Sequence, residues 1–180
     1  ELNYLGIENI LAIRGDSTVK KNHRADRSVN EYAIDLVEQV QHMNHGQYMD
    51  DLIDVDPTNF CVGVSYYPEK HFEAPNLDFD MNILLKKQEK GADYGVSQMF
   101  FDNQHYHNFT KRAKEKGVTI PMIPGLKILT SQKQLTSIPR VFHVDIPTEL
   151  TERLMKATTR QKAVDEGIEW AFKQTIDLLE

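Results

Sequence analysis

An α/β fold of repeated strand–helix units around a parallel sheet is predicted by two features of this 180-residue chain. Four apolar runs, 10–14 (ILAIR), 60–65 (FCVGVS), 94–101 (YGVSQMFF) and 119–124 (TIPMIP), each end in polar residues, Gly or Pro. A segment with helical spacing follows every one, and that alternation is what βα units produce. Ligands of such sheets gather where strands end and loops begin. The chain's unusual residues sit at those places.

Taken in order, Leu5-Gly6-Ile7 leads into the first strand, and the chain reads as starting mid-domain. After a polar stretch, Ser28 and Glu31 have the spacing of a helix capping box. Ala33, Leu36, Val37, Val40 and Met43 then form an apolar helical face. Residues 44–58 are polar and turn-rich and read as a long connection before the second strand. A helix is predicted over 78–90, with Gly91 in the left-handed position just past its end. Asp102 or Asn103 can cap the next helix, which runs to Lys116, and Gly117 repeats the stop signal. After the fourth strand come a short helix over 132–138, a helix over 148–156 started by Pro147, and a last amphipathic helix over 162–179. Ala163, Ile168, Ala171, Phe172 and Ile176 are its predicted inward residues. No linker divides the chain, so residues 1–180 read as one domain, a partial barrel. Right-handed crossovers place every strand end on one side. Arg14, Gly15, Asp16, Tyr67, Gln98 and Gly125 then converge on one rim. Four strands make half a barrel or an open sheet. Their open edges predict further strands outside these residues.

Composition excludes several classes. The net charge of −6 argues against nucleic acid, and the basic cluster 20–24 (KKNHR) has no interleaved aromatics and reads as a solvated loop. No apolar run reaches membrane-spanning length, and the first residues lack a signal peptide's features. A lone cysteine, Cys61, allows no intrachain disulfide, which fits a reducing cytoplasmic setting. Its place in an apolar strand makes it a buried, inert thiol. His105 and His107 lack a supporting ligand cluster, so they read as exposed helix residues and no metal site is expected. Dinucleotide-fold, P-loop and serine-hydrolase motifs are missing from the sequence.

The rim segments carry the chemistry. Arg14-Gly15-Asp16 comes straight off a strand: a fork of donors, a glycine permitting close approach, and a carboxylate. Alone it is equally a surface turn. Tyr67 and His71 follow the second strand, where a ring can stack and an imidazole can donate; alone, a loop histidine is more often solvated than functional. Asp80, Lys86 and Lys87 lie on the next helix, a charged array or simply a solvated face. Gln98, amid Val96, Met99, Phe100 and Phe101, needs a hydrogen-bond partner, either a neighbouring strand or the edge of a heterocyclic ligand.

Together these segments resemble the methylenetetrahydrofolate reductase family, in order and through nearly the whole chain. The carriers are 9–16 (NILAIRGD), 32–37 (YAIDLV), 67–74 (YPEKHFEA), 91–94 (GADY), 98–102 (QMFFD), 123–125 (IPG) and 164–171 (VDEGIEWA). The loop lengths resemble the bacterial, single-domain form. The resemblance implies a (βα)8 TIM barrel with FAD at the strand C-termini. It implies ping-pong reduction of 5,10-methylenetetrahydrofolate to 5-methyltetrahydrofolate, with NADH or NADPH as donor, and a homo-oligomer. Carried over, Arg14, Gly15, Asp16, Tyr32, Ala33, Tyr67 and His71 fall in the flavin site. Asp80, Lys86 and Lys87 fall near the ribityl, phosphate or adenosine portion. Asp16 takes the electrostatic role beside the flavin ring, and Gln98 and Gln134 contact folate. Ile83 departs from relatives that carry Asn, and Tyr66 stands where small residues are commoner. The family's general acid, a glutamate, belongs on a strand before Glu1, so no residue here takes that role. A catalytically silent flavin- or folate-binding barrel subunit or fragment is the alternative.

Overall fold

A computed structural model of the chain describes residues 2–15, 30–50 and 55–179. Four strands form one sheet: β1 (Asn9–Ala12), β2 (Cys61–Tyr66), β3 (Tyr94–Ser97) and β4 (Met122–Ile123). Every neighbouring pair is parallel and the order in space is the order in sequence. Between them run α1 (Ala33–Asn44), α2 (Leu77–Glu89) and α3 (Asn103–Glu115). After β4 come α4 (Gln134–Phe142), α5 (Thr148–Lys156) and α6 (Arg160–Leu179). The predicted α/β class is therefore observed as a parallel four-stranded arc with edges at β1 and β4.

Strand alternation sorts the two faces. Val62, Val64 and Tyr66 of β2 point toward the helices and join Val37, Val40, Met81, Leu84, Phe109 and Ala113 in one core. Leu11, Ile13 and Ile123 remain exposed. Tyr66 settles into the core rather than onto the rim: it is fully buried and its ring stacks on Phe109 at 5.1 Å. A second core, comprising Phe101, Leu129, Ile138, Val144, Leu150, Leu154 and Ala163, sits among α4, α5 and α6. Burying each of its leucines contributes about 2 kcal/mol.

Several boundaries move from the sequence expectation. The third strand stops at Ser97, so Gln98 lies just past its end rather than within it. The fourth shrinks to two residues. The short helix starts at Gln134 and continues through Pro139 to Phe142, closing on His143 with φ +53°. Ser28 lies outside the described residues. The helix begins instead at Ala33, and the Asp35 carboxylate accepts from the backbone N–H groups of Glu31 and Tyr32 at 3.0 and 2.8 Å. Gly91 and Gly117 take the expected left-handed conformation, φ +99° and +100°. Cys61 is only half-buried, with burial and the charge of Asp93 raising its thiol pKa. The inward face predicted for the last helix holds at Ala163, which is buried, but not at Ile168, Phe172 and Ile176, which are exposed; α6 buries Gly167 and Gln174 in their place. A polar Gln174 takes the interior position because its Nε2 donates to Asn103 Oδ1 at 3.1 Å and to Phe100 O at 3.3 Å.

Candidate functional site

All four strands run the same way, so their C-terminal ends lie along one rim. Arg14 leaves β1 there and its guanidinium donates to Glu73 Oε2 at 2.5 Å. The same guanidinium lies over the Tyr32 ring, 5.6 Å from its centre. Glu73 holds the Arg14 pKa above its ordinary value. Three separate segments thereby meet: the end of β1, the residue preceding α1, and the loop after β2. Gly15 is exposed beside them and Ala33 is buried as the first residue of α1. Asp16 lies outside the described residues, as does the basic cluster 20–24.

The loop after β2 is tightly built. Tyr67 and His71 meet edge to face at 4.6 Å. His71 Nδ1 accepts from the Glu73 N–H at 3.2 Å, which leaves the ring proton on Nε2. Burial lowers the His71 pKa, against the opposing pull of Asp80 and Glu73, so the neutral ring is favoured. Asp80 reaches back from α2 to accept from the His71 N–H at 2.5 Å. Its carboxyl pKa is raised by burial and lowered by that bond. Lys70, between these residues, has φ +132°, a region costly for a side-chain-bearing residue. Its ammonium closes the loop by donating to Ala74 O at 2.8 Å.

Of the α2 array, Asp80 and Lys87 belong to this side of the helix and Lys86 does not. Lys87 is buried and donates to Ser65 O at 2.8 Å, whereas Lys86, one residue earlier, is exposed. Burial lowers the Lys87 pKa to about 8, with Asp80 pulling it back up. A solvated helix face describes Lys86 only.

Gln98 lines a shallow crevice with Tyr67, Glu69, Met99, Phe142 and Val144. It bonds no neighbouring strand through its side chain: its Oε1 accepts from the adjacent Met99 N–H at 3.0 Å. Its Nε2 makes no hydrogen bond among the described residues. Gln134 sits apart from this crevice, and its Oε1 accepts from the N–H groups of Thr130 and Ser131 at 2.6 and 3.1 Å, closing the turn before α4. Its geometry is that of a helix-entry brace.

Two carboxylates that sequence reasoning quoted without a role prove central. Glu73 is the partner of Arg14. Glu69 accepts from the Asp145 N–H at 2.7 Å and so ties the loop after β2 to the loop between α4 and α5. Its other oxygen is buried with no hydrogen-bond partner among the described residues, and burial raises its pKa. The signal for both was present, since two acids flank the histidine of a loop that faces an arginine. Among the described residues, no group of three or more His, Cys, Asp and Glu side chains is placed to hold a metal ion. The rim offers two aromatic faces, a guanidinium fork and an imidazole N–H.

Comparison with known proteins identifies the family. A family model described as methylenetetrahydrofolate reductase matches residues 1–180. The chain is 31% identical over 170 residues to methylenetetrahydrofolate reductase 2 of Schizosaccharomyces pombe, covering 88% of this chain and 25% of that protein. It is 31% identical over 142 residues to 5,10-methylenetetrahydrofolate reductase of Buchnera aphidicola, covering 79% of this chain and 42% of the relative. The chain thus spans a quarter to less than half of these relatives. A solved structure from Clostridium thermocellum, titled as an uncharacterized protein that binds two copies of 5-methyl-5,6,7,8-tetrahydrofolic acid, is similar with a TM-score of 0.52. That likeness covers 70% of this chain and 43% of the other at 21% identity, and bears on the fold.

Proposed function

Because the chain belongs to the methylenetetrahydrofolate reductase family, we propose that its rim takes part in flavin-dependent reduction of 5,10-methylenetetrahydrofolate to 5-methyltetrahydrofolate. The convergence of Arg14, Tyr32 and Glu73 with the Tyr67–His71 loop carries this reading. When bound, FAD supplies a ring that accepts a hydride from NADH or NADPH and passes it to the folate methylene group.

The chain's own residues bind and orient. Tyr32 and Tyr67 offer flat faces, and Arg14, preset by Glu73, offers its remaining N–H groups to carbonyl or phosphate oxygens. His71 donates through Nε2 to a hydroxyl or phosphate. Asp80 fixes the loop on which His71 rides. Gln98 offers Nε2 to the pterin edge from a crevice it shares with Tyr67. The family resemblance assigns to Asp16, outside the described residues, the negative charge that would favour a cationic iminium form of the substrate. Donor and folate occupy the same place in turn, which gives a ping-pong order.

The test is spectroscopic. The purified chain is mixed with FAD, desalted, and treated anaerobically with NADH or NADPH and then 5,10-methylenetetrahydrofolate. Retained flavin absorbance that bleaches with the nucleotide and returns with the folate is the expected result. Flavin lost on desalting removes the proposed site. Flavin retained but bleached by neither nucleotide makes the chain a silent binder.

A further inference from the structure

The loop after β2 and the connection between α4 and α5 both line the crevice that holds Gln98, and two contacts join them. Glu69 Oε2 accepts from the Asp145 N–H at 2.7 Å. The Phe72 ring stacks on His143, 4.9 Å between centres and 27° from parallel. Val144, from the same connection, is buried in the second core. The connection is thus held from two directions, and it gives the crevice Phe142 and Val144.

Neither contact is explained by stability alone. Glu69 is half-buried, and its Oε1 is shut off from solvent with no hydrogen-bond partner among the described residues. An acceptor in that state is destabilising. Burial raises the carboxyl pKa, the Asp145 N–H and His105 lower it, and the charges of Asp145 and Asp102 raise it again. His143 ends α4 at φ +53°, a left-handed position where glycine is the usual residue. A side chain stands there against the backbone preference, and its ring goes to Phe72. Residues kept at a cost to the fold mark places where function sets the choice.

Gln98 supplies the function. Its Oε1 is taken by the Met99 N–H, which leaves Nε2 as the group offered outward. We propose that Glu69 and His143 are positioning residues for the folate substrate, an assignment that rests on the folate reading of Gln98. Together they clasp the α4–α5 connection so that Phe142 and Val144 form the apolar wall beside the Gln98 donor. The heterocycle edge that Gln98 reads rests against that wall. Neither positioning residue touches the reacting atoms. His71 is fixed separately by Asp80, and its loop is closed by Lys70 on Ala74 O, so the flavin contacts survive loss of the clasp.

The test compares binding of 5-methyltetrahydrofolate, by equilibrium dialysis, with FAD retention after desalting. Glu69→Gln keeps an acceptor for the Asp145 N–H and should bind the folate as the wild type does. Glu69→Ala should weaken it about tenfold, the worth of one buried hydrogen bond. His143→Gly suits the left-handed turn but loses the ring. It should weaken the folate about threefold, the worth of one ring stack, while the melting temperature holds or rises. FAD retention should be the same in all four proteins. A residue that only props up the fold cannot lower folate affinity while stability rises and flavin stays. Equal folate affinity in the wild type, Glu69→Ala and His143→Gly overturns the proposal. So does Glu69→Gln as weak as Glu69→Ala, a parallel loss of folate and FAD in the variants, or a wild type that binds no folate. If Glu69→Ala unfolds, His143→Gly decides alone. Flavin lost from the wild type itself, with the folate differences intact, sinks the flavin reading and leaves this one standing.

Discussion

Lys87 shows at the scale of one residue how a site is held at a cost to the fold. Its ammonium is buried under the end of β2 with a carbonyl for company, and its pKa falls to about 8 from the usual 10.5. Between those values the unfolded chain holds the extra proton, so stability rises with pH through that window. The buried charge costs on the order of 3 kcal/mol below pH 8. Lys87→Met should accordingly raise the urea midpoint at pH 7, by less than that figure because Ser65 O loses its donor. The gain should shrink toward pH 10.5. The same substitution should weaken FAD retention if Lys87 serves the phosphate or ribityl portion. A midpoint gain that persists undiminished at high pH would contradict the assignment. Nothing in the sequence distinguishes Lys87 from Lys86. Only the helix phase, with Met81 and Leu84 turned to the sheet, puts one inside and the other in water.

Among the elements, α6 teaches most. Its apolar residues suggested a face through Ile168, Phe172 and Ile176, but the buried line runs Ala163, Gly167, Gln174. Small residues face inward because the connection between β4 and α4 passes close: a Cβ on Gly167 would lie 1.8 Å from Leu129 O. Gly167→Ala should therefore cost about 3 kcal/mol through overpacking, read as a lowered melting temperature, although alanine is the better helix former. An unchanged or higher melting temperature would show that the loop yields. Spacing arguments succeed on α1, where Ala33, Val37 and Val40 are buried as expected, because apolar residues alone face its core. They fail on α6 because a glycine and a glutamine do the packing there, and hydropathy gives neither any weight. At the rim, the Tyr67–His71 pair was legible from its motif. The Arg14–Glu73 contact was not, because its partners lie 59 residues apart.

The whole molecule leaves apolar surface open. The sheet face bearing Leu11, Ile13 and Ile123 is exposed, and so is the α6 stripe of Ile168, Phe172 and Ile176. Parallel sheets are ordinarily covered on both faces, and patches of this kind drive association. Light scattering should give a mass that rises with concentration, and Phe172→Lys with Ile176→Lys should lower it. A constant single-chain mass would refute this. The strand count and direction were readable from four apolar runs, whereas strand lengths were not, because chain after a strand end stays apolar where it enters the second core, as Phe101 does. The arrangement of the sheet has a further consequence. Each strand pairs with the one made just before it. The arc can therefore be assembled during synthesis, every new strand docking on a template that has already left the ribosome. Truncations from the C-terminal side should then leave native-like β1–β2 pairing, whereas removal of β2 would leave β1 without a sheet partner.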